Sequence, residues 1–272
     1  MRELEFSVLI SLYNNEVEEN LEAALESLVN QILQPNEIVL VLDGPIRSSL
    51  LKIVKKYQLK FKSFQLLKLD QNVGLGKALN YGLGFCRYEY VARMDTDDIC
   101  YPERFKMQIA KLNTNKNISV LGAAMQEFNA VPNDLGRFKI LPSQYDKLKK
   151  FAIYRNPLNH PTVIFRKQDI LFVGSYLDMP LFEDYYLWVR VLSSNFVIEN
   201  LQESLLHFRI GNDMVKRRHG FQYVKKEIRF LEAIKELRFI SSKQMYTLII
   251  MKTPLRLMPI KIFKLVYKLF LR

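Results

Sequence analysis

Apolar residues in the first third of the chain come in short runs separated by stretches of helical spacing. Phe6 to Leu12 is the first run, interrupted by Ser7 and Ser11, and the turn formers Tyr13-Asn14-Asn15 end it. From Glu18 to Gln31 the pattern shifts to helical spacing, with Leu21, Ala24, Leu25, Leu28 and Ile32 on one face and Pro35 as the stop. Glu37 to Leu42 is the second run, followed at once by Asp43-Gly44-Pro45. Ser49 to Tyr57 reads as a helix, Phe64 to Leu69 as a third strand, and Leu75 to Cys86 as another helix. A fourth strand spans Tyr88 to Met94, and Pro102 to Leu112 returns to helical spacing.

Strand and helix alternate, so the pattern predicts an α/β fold with a parallel sheet covered on both faces. Such sheets bind ligands at the carboxyl ends of their strands. Tyr13-Asn14-Asn15, Asp43-Gly44, Gln71-Asn72 and Asp95-Thr96-Asp97-Asp98 all fall at those ends, so four separated motifs converge on one edge. The middle of the chain, about 113 to 205, is less regular, with loops at Val131-Pro132-Asn133-Asp134 and Asn156-Pro157.

Length and charge narrow the picture. The 272 residues suit one large domain, or one with an appendage, and a net charge of +12 calls for an anionic partner or surface. Cys86 and Cys100 have no metal-ligand spacing, which argues against a disulfide scaffold and for a reducing compartment. The opening segment is too short and too acidic for a secretory signal. No uncharged run approaches the ~18 residues of a spanning helix.

Candidate chemistry begins with Asp95, Asp97 and Asp98, three carboxylates in four residues that repel one another unless a cation neutralises them. Asp95 and Asp97, alternate residues at a strand end, can reach one diphosphate and its Mg2+, because hard ions share carboxylate and phosphate oxygens. The competing role for Asp97 or Asp98 is capping the next helix, which accounts for one carboxylate but not three. Asp43-Gly44 is a common turn pair whose position beside the aspartates makes it a site candidate. Asn72 to Asn80 contains Gly74 and Gly76 but matches neither a Walker loop nor a dinucleotide fingerprint. It is either a glycine-relieved turn or a set of amides offered to phosphate.

Glu183 and Asp184 stand beside Tyr185, Tyr186 and Trp188. A carboxylate among apolar rings has a raised pKa and suits a general base, while acids at a helix start are the structural alternative. Arg209 and Lys216-Arg217-Arg218-His219 offer guanidinium forks to a diphosphate, or simply form a solvated basic face. His160, His207 and His219 lack zinc-ligand spacing. In the last segment, Lys261, Lys264, Lys268 and Arg272 recur at helical spacing opposite Ile262, Phe263, Leu265, Val266, Leu269 and Phe270. That pattern predicts a basic amphipathic helix in an anionic membrane interface, with docking on the protein's own core as the alternative.

Taken together these residues resemble family 2 glycosyltransferases of the GT-A fold. The likeness covers about 6 to 220. It rests on Ser7 to Asn14, Val41 to Pro45, Asn72 to Asn80, Arg93 to Asp98 and Glu183-Asp184-Tyr185, in that order. The resemblance implies a Rossmann-like, mostly parallel sheet flanked by helices. It divides a catalytic domain, 1–220, into a nucleotide-binding half of about 1–112 and an acceptor-binding half of about 113–220. Residues 221–272 would be a basic, helical, membrane-associating extension.

The same resemblance implies roles. Asp43 would read the uracil of a UDP-sugar, with Tyr13, Asn15, Asn72 and Lys77 also on the nucleotide-sugar. Asp95 would lie near the ribose and diphosphate, and Asp97, with Asp95, would hold Mn2+ or Mg2+; Asp98 is left as the helix cap. Asp184 would deprotonate the acceptor hydroxyl, Arg217 and Arg218 would neutralise the departing diphosphate, and Glu183 and His160 would face the acceptor.

Ile38 to Pro45, Asn156 to Val163 and Lys216-Arg217-Arg218 are similar to a bacterial subgroup that adds galactose or glucose to N-acetylglucosamine on a polyprenyl diphosphate. That subgroup implies inverting transfer in O-antigen, capsule or exopolysaccharide assembly, with a β-1,3 linkage, by a peripheral protein on the cytoplasmic face of the bacterial inner membrane. Two departures stand out: the proline usual in the family's first motif is replaced around Leu12, and a single Asp43 stands where many members have two. The Gln-x-x-Arg-Trp signature of processive synthases is also missing, which points to addition of one sugar.

A noncatalytic sugar-nucleotide or glycan binder at the membrane surface is the rival, and Asp184 among its aromatic neighbours argues against it. Nucleic acid is not the expected partner, because the cations interleave with aliphatic residues instead of forming a stacking surface. A nucleotidyltransferase would need a glycine-rich loop where Tyr13-Asn14-Asn15 stands.

Overall fold

The computed structural model of the chain describes residues 4–211, 217–260 and 262–263. Strands β1 (Phe6–Leu12), β2 (Glu37–Leu42), β3 (Phe64–Lys68) and β4 (Tyr90–Met94) are parallel and lie in the order β3-β2-β1-β4. Helices α1 (Glu18–Val29), α2 (Ser48–Gln58) and α3 (Leu75–Phe85) connect them. The chain runs outward from β1 on one side and returns to its other side at β4. The cleft between the carboxyl ends of β1 and β4 is therefore the switch point where such sheets take their ligands.

The buried strands divide their side chains by a period of two. Phe6, Val8, Ile10 and Leu12, with Ile38, Leu40 and Leu42, enter one core with α1 and α2. Leu9, Val39 and Val41 enter a second core with α3. Helix α3 approaches this second face closely at Gly82, where a Cβ would stand 2.5 Å from the Leu9 side chain and 2.6 Å from Val41. Glu37, fully buried, is satisfied by Ser7 Oγ (2.7 Å), Gln65 (2.6 Å) and Arg87 Nε (2.6 Å).

After β4 come β5 (Ile99–Cys100), α4 (Arg104–Thr114), β6 (Ile118–Phe128), β7 (Arg137–Lys139), α5 (Tyr145–Phe151), β8 (Ile164–Arg166), α6 (Lys167–Phe172), α7 (Glu183–Ser193) and β9 (Val197–Arg209). They extend the sheet to the order β3-β2-β1-β4-β8-β6-β9-β5, with β7 paired to β6. The region whose pattern looks irregular thus holds the two longest strands, β6 and β9. Eleven consecutive buried residues in β6 give no alternation to detect.

Helices α8 (Phe221–Glu236) and α9 (Ser242–Leu257) pack on α7 through a third cluster, where Phe182, Tyr185 and Val189 meet Tyr223, Phe230, Leu231, Met245 and Leu248. A full capping box at Ser241 and Gln244 starts α9. No described helix is long and apolar enough to cross a membrane. The predicted basic helix of 259–272 falls largely outside the described residues.

Two sequence expectations need correction. Ile32 does not belong to the buried face of α1: the helix ends at Val29, well before Pro35, and Ile32 is exposed in the following turn. Asp98 does not cap the next helix. The N-cap position of α4 is Glu103, which makes no side-chain cap, while Asp98 is fully buried and accepts the Arg209 amide at 2.9 Å.

Candidate active site

A cavity of about 560 Å3 opens at the carboxyl ends of β1, β2 and β4 and continues between β9, α7 and the turn at Arg217-Arg218. Asp43, Asn72, Tyr13, Asp95, Asp97, His160, Glu183, Asp184, Arg209, Arg217 and Arg218 all line it. Asn15 and Lys77, expected on the nucleotide-sugar, are exposed and do not line it. Lys216 lies outside the described residues. His219 turns away from the cavity and bonds the Met258 carbonyl at 2.7 Å.

At the β2 end of the cavity, Asp43 shapes the loop that follows β3. Its carboxylate accepts the amides of Val73 (2.7 Å) and Gly74 (3.1 Å), while its carbonyl accepts the Asn72 amide group at 3.2 Å. Gly44 permits this approach: it has φ +88°, and a Cβ there would lie 2.6 Å from the Asn72 nitrogen.

The aspartates have three different surroundings. Asp95, just past the end of β4, pairs through both oxygens with the guanidinium of Arg93 within that strand, a residue that is almost wholly buried. Asp98 takes the Arg209 amide on Oδ1, and its buried Oδ2 has no hydrogen-bond partner among the described residues. Asp97 has no ion pair among the described residues: burial, then Asp95 and Glu16, push its carboxyl up to about 7 against the more distant charge of Arg93. Arg209 Nε holds the Asp97 carbonyl at 3.0 Å, and the guanidinium rests 4.4 Å above the Phe128 ring.

Oxygens of Asp95, Asp97 and Asp98 lie within 4.8 Å of one another. An unpartnered buried oxygen, crowded carboxylates and an all-oxygen donor set fit a hard divalent ion such as Mn2+ or Mg2+. Glu16 closes the cluster from the β1 side, taking the Thr96 hydroxyl and the Val17 amide (2.8 Å).

At the other end, Asp184 begins α7. Asn156 Nδ2 donates to its Oδ2 at 2.6 Å and the Tyr185 amide to its Oδ1 at 2.8 Å. Burial raises its pKa; the Asn156 and Tyr185 hydrogen bonds and the charges of Arg93 and Arg218 pull the other way. Glu183 is raised by burial and by Asp184. His160 is held neutral, because burial and the Arg93 charge lower its pKa well below the usual imidazole range. Its Nε2 meets the Tyr176 hydroxyl at 2.8 Å, and Asn80 fixes Tyr176 by bonding both its carbonyl (2.5 Å) and its amide (2.9 Å).

Sequence reading missed Glu16, Thr96, Tyr176, Leu181 and Lys139 as lining residues, and it assigned no role to Arg93. Only Arg93 carries a local signal, being a cation inside an apolar strand two residues before a carboxylate.

Residues 7–171 match the family described as Glycosyl transferase family 2. The amylovoran biosynthesis glycosyltransferase AmsE of Erwinia amylovora is 43% identical, over 97% of this chain and 98% of its own. The UDP-Gal:alpha-D-GlcNAc-diphosphoundecaprenol beta-1,3-galactosyltransferase of Escherichia coli is 32% identical over 98% of this chain and 96% of its own. Among solved structures, S. aureus TarS in complex with UDP-GlcNAc superposes with a TM-score of 0.66 at 22% identity, covering 85% of this chain and 66% of that one. That likeness supports the GT-A architecture.

Proposed function

The chain belongs to glycosyl transferase family 2 and is a glycosyltransferase, and on that premise we propose that it transfers one galactose or glucose from a UDP-sugar to a lipid-diphosphate-linked N-acetylglucosamine. The bond formed is β-1,3, the anomeric centre inverts, and the product serves bacterial surface polysaccharide synthesis. The observation that carries this reading is that one cavity is lined by Asp95 and Asp97, by Asp43 with its loop, and by Asp184, which Asn156 hydrogen-bonds.

In this reading the acceptor hydroxyl loses its proton to Asp184 as its oxygen bonds the anomeric carbon. The bond from that carbon to the UDP phosphate breaks on the opposite face, and UDP departs with the electron pair. Asp43 reads uracil with the lone pairs its two amide bonds leave open. Arg217 and Arg218 face the departing diphosphate, with Arg209 beside them. A bound Mn2+ or Mg2+ supplies positive charge to that leaving group. Asp97 is its principal anchor, because Arg93 already neutralises Asp95. Glu183 and His160 line the acceptor side, and the neutral imidazole offers a hydrogen bond without adding charge. The protein acts peripherally at the cytoplasmic face of the inner membrane, held there by its basic C-terminal region.

The test is a panel of UDP-sugars with a synthetic N-acetylglucosamine-diphosphate-lipid, with and without EDTA. Transfer from UDP-galactose or UDP-glucose that EDTA removes and Mn2+ restores is expected. Donor binding without transfer to any such acceptor would overturn the acceptor class. Asp184→Asn should bind UDP normally and transfer nothing; full activity would remove Asp184 as the base.

A further inference from the structure

Helix α9 is built inside out. Lys252 and Arg256 are the only charged residues from Gln244 to Met258, and both point into the protein. They pair with Glu227 of α8, itself 4% exposed, at 3.3 Å and 3.2 Å, and the Arg256 guanidinium also covers the Tyr223 ring at 4.7 Å. Beyond Lys243 in the first turn, and apart from Thr247, the opposite face is uncharged and apolar. Tyr246, Ile250, Met251 and Leu257 are 60%, 72%, 60% and 49% exposed, with Pro254 exposed among them. A helix covering a soluble domain has the reverse arrangement. A contiguous exposed apolar face marks a surface that something apolar covers.

Charge identifies the occupant. From Leu237 to the last residue the chain has no acidic side chain. Besides the inward pair Lys252 and Arg256, it carries Arg238, Lys243, Lys261, Lys264, Lys268 and Arg272. A second copy placed on this face would set like charges against one another. An anionic leaflet complements both features, with hydrocarbon for the face and acidic headgroups for the flanking cations.

The helix is also tied to the cavity. The Gly220 amide donates to the Arg256 carbonyl at 2.9 Å, His219 bonds the Met258 carbonyl at 2.7 Å, and Arg256 reaches the Arg218 carbonyl at 3.4 Å. The turn fixed by these bonds begins with Arg217 and Arg218, which line the cavity. We propose that the outer face of α9 is a bilayer-docking surface. Tyr246, Ile250, Met251 and Leu257 enter the acyl boundary of an anionic leaflet, and Arg217 and Arg218 are thereby held at headgroup depth beside the cavity. The depth of the two arginines gains its meaning from the lipid-diphosphate acceptor of the proposed function; the docking surface stands without it.

The experiment is co-sedimentation of the full chain with phosphatidylcholine vesicles, with or without phosphatidylglycerol and with no acceptor present. Wild type is compared with the Ile250→Glu/Met251→Glu double variant at low salt and at about 0.5 M salt, where attraction between exposed charges is largely screened. Wild type should prefer the anionic vesicles and stay bound at high salt. The double variant should partition at least about tenfold more weakly there. Both residues are exposed, so its thermal midpoint should match wild type and serve as the control for folding. Equal partition of the two proteins at both salts would overturn the proposal. So would a variant that binds vesicles normally but turns a dimer into a monomer, since the face would then belong to a second copy. Because no sugar or acceptor enters this experiment, failure of the donor and acceptor panel leaves its result unaffected.

Discussion

Replacing Asn156 by alanine should move the acidic limb of sugar transfer toward neutral pH. As the proposed base, Asp184 would work only when ionised, so transfer should be lost as pH falls through its pKa. Burial raises that pKa, and the hydrogen bond from Asn156 Nδ2, at 2.6 Å, is foremost among the interactions that counter it. Deleting the donor therefore raises the pKa further. A hydrogen bond to a charged group contributes about 1.5–3 kcal/mol. If roughly half of that distinguishes the carboxylate from the acid, the limb shifts by about one pH unit, at about 1.4 kcal/mol per unit. Asn156→Asp should shift it at least as far, because it replaces the donor with a second carboxylate while keeping an acceptor for the Leu158 amide, now at 3.2 Å from Oδ1. The assay is kcat/KM against pH for wild type and both variants. Profiles that keep the wild-type limb and drop by one constant factor at every pH would refute the electrostatic role and leave Asn156 as a loop residue.

Other outcomes follow from the same geometry. Asp97→Asn should abolish metal-dependent transfer and raise the Mn2+ concentration needed for donor binding, whereas Asp95→Asn should leave more of both, because Arg93 already occupies that carboxylate; metal titrations of donor binding decide between them. Gly44→Ala should cost about 1–2 kcal/mol for the left-handed backbone alone and weaken UDP binding by displacing the 71–74 loop, as thermal unfolding and UDP titration would show. In metal-free protein, burial, then Asp97 and Asp95, raise the Asp98 pKa above its unfolded value, so wild-type stability falls as pH rises above the ordinary carboxylate range. Asp98→Asn should show a smaller decline, the remainder coming from Asp97 and Asp184, whose carboxyls are also raised, and melting curves in EDTA across pH would reveal the difference. Tyr176→Phe leaves His160 Nε2 without its partner and should destabilise by about 1–3 kcal/mol with the buried ring retained, measured by denaturant unfolding.

The first four strands and the helices between them were legible because their information is local. Apolar runs, turn residues at their ends and helical spacing between them place Tyr13, Asp43, Asn72 and Asp95 on one edge before any contact is known. The rest depends on contacts distant in sequence. Asn156 reaches Asp184 across 28 residues, and Asn80 holds Tyr176 across 96. Nothing in the spacing of an asparagine shows which carboxylate or loop it will meet. The inward turn of Lys252 and Arg256 was hidden for the same reason: it requires Glu227 on a neighbouring helix, and a linear pattern shows only cations in an apolar stretch.

The aspartates show how far local reading goes and where it stops. Their spacing singled out three crowded carboxylates, giving Asp97 with Asp95 to an ion and leaving Asp98 as a helix cap. The fold separates them by giving each different surroundings. Arg93, fixed in β4, spends its charge on Asp95; the Arg209 amide, brought by β9, meets Asp98; Asp97 is left between Asp95 and Glu16 with its carboxyl pushed up. In the proposed reading, an ion bound with the donor would gain more at Asp97 than at Asp95, whose charge Arg93 already pairs. The residue that sets this order is Arg93, because removing its charge would make Asp95 as demanding as Asp97 and would also deprive Asp184 of a stabilising cation.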